Sequence, residues 1–144
     1  MARLCEVMVT EVVPDWQATL DALRKLEGVG DSRPVGYYGL SQGGGTGVHL
    51  VAAGPRITAA VLGLDGSDVL TGIAPRIAIP VEFVMQCDDA GHPRDSMLTL
   101  SGALGSAEKT LHASPGSHFE VPEFETGSSI RFFARHLGSQ GAAI

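Results

Sequence analysis

Residues Gly39-Leu40-Ser41-Gln42-Gly43 set one hydroxyl among small neighbours, between an apolar run and a glycine-rich stretch. The spacing is G-x-S-x-G. With a strand before it and a helix after it, this pattern presents a serine Oγ above a sheet on a sharp turn. Such a turn strains the serine backbone, so Gly39 and Gly43 are read as clearance. The N–H of Gln42 would then point to where an oxyanion forms. Phosphate binding is the competing chemistry for a glycine-rich turn. It fails here, because no Lys-Ser/Thr pair follows the glycines and they do not fall in G-x-G-x-x-G order. The pentapeptide by itself also fits a plain packing corner.

A serine nucleophile needs a base and an orienting acid. The chain has five histidines. His49 lies in the helical stretch after the serine and reads as packed or surface. His112 lies inside a strand and reads as a core histidine. His136 lies on the last helix and reads as solvated. His92 and His118 come just after the C-terminal ends of predicted strands, where open α/β sheets gather their ligands. The acids at that same edge are Asp65, Asp88 and Asp89. Asp95 opens a helix and reads as a dipole or capping residue. The order Ser41, Asp89, His118 leaves one or two strand–helix units in each interval, so the three side chains can meet at one rim.

The elements that must position them follow from periodicity. Residues 2–13 carry Leu4, Val7, Met8 and Val12 at helical spacing, with enough β-branched content to leave a strand open. Pro14 interrupts that pattern. A helix follows over about 15–27, with Trp16, Leu20, Leu23 and Leu26 on one face, and Gly28 as its stop. Turn signals at Gly30, Asp31 and Ser32 lead into a strand at 33–40. The stretch 42–53 favours a helix despite Gly43, Gly44, Gly45 and Gly47. Strands are predicted at 56–66, 77–87 and 108–114. Helices are predicted at 94–104 and from about 126 to 138, the latter with Ile130, Phe133 and Leu137 on one face. The closing SQGAAI reads as frayed. Strands alternating with helices, and strands that are continuous apolar runs, predict an α/β fold: a parallel sheet of about four strands with helices on both faces.

Bulk composition narrows the partners. A chain of 144 residues, 44% apolar and 18% charged, reads as one globular domain spanning residues 1–144. Its formal charge of −6, without a basic cluster, argues against nucleic acid. Cys5 and Cys87 are the only cysteines and show no metal-ligand spacing, which reads as reduced thiols in a cytoplasmic protein, with a single disulfide as the weaker option. Neither cysteine sits on the serine turn, which disfavours a thiol nucleophile. No window is long and apolar enough for a membrane span. No metal and no cofactor is required.

Three segments together carry a resemblance. VGYYGLSQGGG, IPVEFVMQCDDAGHPRDSMLTLSGAL and EKTLHASPGSHFEVPEF resemble the nucleophile turn, the acid loop with its following helix, and the histidine loop of the α/β-hydrolase superfamily. The likeness is to dienelactone-hydrolase-like serine esterases, over roughly residues 14–138, corresponding to the C-terminal half of that fold. It implies hydrolysis of small carboxylic esters through an acyl-enzyme. Ser41 would be the nucleophile, His118 the base and Asp89 the acid by alignment on Pro93, with Asp88 its neighbour. Two departures stand out. Gln86 and Cys87 occupy positions where the family often has Gly. The strands and the H-G-G-type loop that precede the nucleophile strand are also missing, and that loop supplies a second oxyanion donor. The resemblance therefore implies an exposed edge strand at 35–40, covered in a homo-oligomer, by a swapped segment or by a partner chain, and slow turnover. The opposing reading is an inactive fragment that serves as an association module.

Overall fold

The computed structural model describes residues 2–30 and 33–138. The turn at Asp31–Ser32 and the closing SQGAAI lie outside the described residues. The chain opens with helix α1 (Ala2–Val7), a π-helical turn (Met8–Val12) and α2 (Val13–Arg24) in direct succession. Pro14 therefore does not start a new helix after a break. A proline inside a helix offers no N–H and crowds the preceding turn. The widened π turn just before it, closed by the Val13 N–H on Met8 O, relieves both problems. α2 ends at Arg24, earlier than its apolar spacing implies, and only Val13 and Leu20 are buried on it.

Four strands follow: β1 (Gly36–Leu40), β2 (Ala59–Gly63), β3 (Val81–Gln86) and β4 (Lys109–Ser114). They form one sheet in the order β1-β2-β3-β4, every pair parallel. The expected four-stranded parallel sheet is present, with each strand shorter than its apolar run. Alternate residues separate the two faces. Tyr37, Ala60, Leu62, Val81, Phe83 and Met85 enter the main core with Val48, Leu50, Leu70, Met97 and Leu100. The last five belong to α3 (Gln42–Ala52), α4 (Asp68–Ile73) and α5 (Arg94–Ala103). Each Val, Leu, Phe or Met side chain among them taken out of water contributes about 1.5–3 kcal/mol.

The other face carries α6 (Glu123–Leu137). A Cβ at Gly36 would strike Phe133 and Leu137, so α6 lies directly on β1. The buried residues of α6 are Glu125 and Ser129, whereas Ile130 is 64% exposed. The expected apolar face of this helix is thus partly wrong. Its inward side is polar because β3 and β4 offer it Glu82 and His112 rather than apolar partners. Ser129 donates to Glu82 Oε1 at 2.7 Å, and His112 Nδ1 lies 2.7 Å from Glu125 Oε2. His136 is not solvated either. Its side chain is 12% exposed and faces Glu108 at 3.5 Å.

The segment 67–76 holds α4 and a short 3-10 turn (Ala74–Arg76) that apolar periodicity does not reveal. Its start is nevertheless capped, since Ser67 Oγ accepts the Leu70 N–H at 3.3 Å. β1 is an edge strand among the described residues, and Tyr38 on it is exposed. β4 is the other edge, and most of its residues are exposed, unlike the buried run expected there.

Candidate active site

The connection from β1 to α3 is one residue long, and that residue is Ser41. Its φ is 56° and its ψ −124°, in a region that side chains other than glycine rarely enter. The two glycines of the turn differ in what they do. A Cβ at Gly39 would come within 2.4 Å of Gly43 O, so only glycine lets the strand pass under the helix start. A Cβ at Gly43 would meet nothing within 4 Å, so its reading as clearance is corrected. Gly44 is the second tight contact, since a Cβ there would lie 2.3 Å from Gly63 O on β2. Gly43 O instead accepts a hydrogen bond from Tyr37 Oη at 2.7 Å. α3 begins at Gln42, and the first N–H groups of a helix lack intrahelical acceptors. The Gln42 N–H next to Ser41 is one of these.

His118 lies in the loop between β4 and α6, and Asp89 in the loop after β3. His118 Nε2 is 2.8 Å from Ser41 Oγ, and His118 Nδ1 is 2.5 Å from Asp89 Oδ2. An ionised carboxylate only accepts, so Nδ1 carries the proton and Nε2 is left to accept the serine O–H. The Asp89 side chain is 1% exposed. Burial raises its pKa. The hydrogen bond from His118 and the N–H groups of Gly91 and His92 outweigh burial and hold the carboxyl below its usual range. Both N–H groups bond Oδ1, at 2.8 and 3.1 Å, which fixes the carboxylate in its loop.

The other candidates separate cleanly. Asp88 turns outward, with its Oδ1 3.6 Å from Arg94 and its Oδ2 accepting the Gly116 N–H at 3.1 Å. Asp65 faces His92 rather than His118, with Oδ1 3.5 Å from Nδ1. His92 stacks on His118, ring centroids 5.6 Å apart and 25° from parallel. His49 is buried, and desolvation pushes its pKa down while Asp65 pulls it up. Asp95 lies in the first turn of α5, as a dipole residue should.

Three features escape the sequence. Gln86 is fully buried, and its amide donates to Pro115 O and Ser117 O at 3.4 and 3.3 Å, bracing the loop that carries His118. Its presence where glycine is common was the available signal. A cleft of about 300 Å³ opens beside Ser41, with one wall made by Leu4 and Met8 of the N-terminal helix. Their spacing of one helical turn was legible, their destination not. Asp65 lines the same cleft. Among the described residues one group offers metal-ligand atoms close together, Glu82, His112 and Glu125, within 4.8 Å of one another. It lies on the α6 face, not in the cleft.

Comparison with known proteins gives the fold a context. No family model and no curated protein matches the chain. Solved structures do. A cold-adapted esterase from an Arctic intertidal metagenomic library is 36% identical with a TM-score of 0.83, over 90% of this chain and 60% of that one. An acetyl xylan esterase from Paenibacillus sp. R4 is 17% identical with a TM-score of 0.74, over 88% of this chain and 52% of that one. An esterase from Pyrococcus furiosus, Pf2001, is 12% identical with a TM-score of 0.75, over 91% and 64%. The chain therefore has the α/β-hydrolase-like fold of these esterases along nearly all of its described length. It spans 56–60% of the Arctic esterase chains it matches. Among the described residues no helix is long and apolar enough to cross a membrane.

Proposed function

We propose that this chain carries the site of a serine hydrolase that cleaves small carboxylic esters. One observation supports the reading above all: the unbroken hydrogen-bonded series Ser41, His118, Asp89, which ends on a serine held in a strained turn beside a cleft. In the proposed reaction Ser41 Oγ attacks the ester carbonyl carbon while His118 Nε2 takes its proton. Asp89 holds the imidazole in the required tautomer and stabilises the imidazolium. The Gln42 N–H donates to the oxyanion. When the tetrahedral adduct collapses, the bond to the alcohol oxygen breaks, and His118 returns the proton to that oxygen. Water, deprotonated by His118, then attacks the acyl carbon; the bond to Ser41 Oγ breaks, His118 returns the proton to that oxygen, and the acid leaves.

The likeness to an esterase at 36% identity supports ester substrates. The motif resemblance supports the dienelactone-hydrolase-like kind. The exposed β1 edge supports pairing with a further strand, in a homo-oligomer or another chain.

The test is labelling by a fluorophosphonate and turnover of p-nitrophenyl acetate, with Ser41→Ala alongside. Turnover should fall by about 10⁴-fold or more in the variant. Equal activity in Ser41→Ala would sink the reading.

A further inference from the structure

Two non-glycine residues among those described have a left-handed φ: Ser41 at 56° and Leu64 at 53°. One is the proposed nucleophile. The other is a buried leucine immediately before Asp65. Such a conformation is strained and persists only where the surroundings impose it. At Leu64 it ends β2 abruptly, and the next side chain enters the cleft beside Ser41.

The setting of Asp65 there is specific. A Cβ at Gly45 would come 2.6 Å from Asp65 Oδ2, so the carboxylate rests directly on the first turns of α3. His92 Nδ1 stands 3.5 Å from Oδ1, too far for a strong hydrogen bond. His118 is already paired with Asp89. Asp65 thus has no part in the proposed proton relay and keeps acceptor capacity facing the cleft. Leu4, Met8, Val69 and Leu70 supply apolar walls, and no Lys or Arg lines the cleft among the described residues. Its one formally charged side chain, with the histidines neutral, is Asp65.

We propose that Asp65 makes the Ser41 cleft selective for esters bearing a cationic, ammonium-type group on a short apolar chain, and closes it to carboxylate-bearing ones. This inference rests on the ester-hydrolase reading and adds a substrate class to it. The electrostatics agree. Burial raises the Asp65 pKa against the pull of His92 and the Gly66 N–H, which marks a carboxylate that an arriving cation would relieve.

The experiment separates binding from turnover. ¹⁵N chemical-shift titrations of the Ser41→Ala chain are run with n-butylammonium, n-butanol and n-butyrate, three probes that share one alkyl chain. Butylammonium should bind about fivefold more tightly than butanol, with shifts at Gly45, His49 and His92, and butyrate more weakly than either. In Ser41→Ala/Asp65→Asn the advantage of butylammonium over butanol should vanish. Butyrate binding as well as butylammonium, shifts that map away from the cleft, or a preference that survives Asp65→Asn would each overturn the proposal. The ranking in the Asp65-bearing chain stands even where the double variant fails to fold. The hydrolysis reading fails by a different sign, turnover persisting without Ser41.

Discussion

Two of the histidine–carboxylate clusters among the described residues, those of His118 and His112, have opposite constructions. At the C-terminal rim of the sheet, His118 has a carboxylate on Nδ1 and a hydroxyl on Nε2, beside an open cleft. Under α6, His112 has carboxylates at both ring nitrogens, Glu125 at 2.7 Å and Glu82 at 3.8 Å. Ser129 caps Glu82, and both glutamates are buried. The first arrangement is the one the proposed proton relay uses. The second is a closed clip joining α6 to β3 and β4. Proximity of a histidine to an acid is thus not what sets the proposed site apart. The hydroxyl on the second ring nitrogen, the strained serine that carries it and the adjoining cleft are.

The sharpest break in the comparison is at the acids. Asp89→Asn should lower kcat for p-nitrophenyl acetate by about 10⁴-fold, because it reverses the preferred His118 tautomer while keeping its shape. A loss under tenfold would mean that His118 is oriented by something else.

Gln86→Leu tests the brace behind His118. The leucine removes both the donating amide and the buried, unpartnered Oε1, so the melting temperature should hold. kcat should still fall about tenfold with KM little changed, because the base loses its fixed position. An equal fall in stability would assign Gln86 to packing alone.

At the other cluster the effects should exchange. His112→Leu removes the ring that both buried carboxylates face, leaving Glu82 only its Ser129 hydrogen bond, and should cost about 3 kcal/mol in urea unfolding. Its kcat/KM should stay within about twofold, because the clip does not touch the cleft. A large kinetic loss at unchanged stability would erase the distinction between the clusters.

The smallest effect is in acid. The Asp89 carboxyl is held below its ordinary value, so it adds stability that is complete above the unfolded pKa of about 4. That stability is lost as pH falls through the lower, folded value. The gap in urea midpoint between the parent and Asp89→Asn should therefore be steady from pH 7 to about pH 5 and narrow toward pH 3. A gap that widens in acid would contradict the sign.

Much of this was legible along the chain. Apolar runs bounded by Gly, Asp and Pro announced β1, β2 and β3, and the alternation of strands with helices announced a parallel sheet. What misled were places where a local signal met a tertiary one. Pro14 reads as a boundary, yet a π turn carries the helix through it. Ile130 reads as buried, yet α6 turns Glu125 and Ser129 inward. α4 is only six residues long, too short for periodicity to reveal, and depends on a cap and on packing against α3 and α5.

Residue type and order determined by themselves the α/β class, the serine turn and a short list of acids and bases. That information is local, because turn chemistry and apolar period act over a few residues. The pairings were decided in three dimensions. Asp89 rather than Asp88 or Asp65 meets His118, because the loop after β3 turns one carboxylate inward onto the N–H groups of Gly91 and His92. Asp65 meets His92 because a left-handed Leu64 aims it into the cleft. Neighbouring aspartates are chemically identical in a sequence. Only backbone direction, set by loops far apart in the chain, tells them apart.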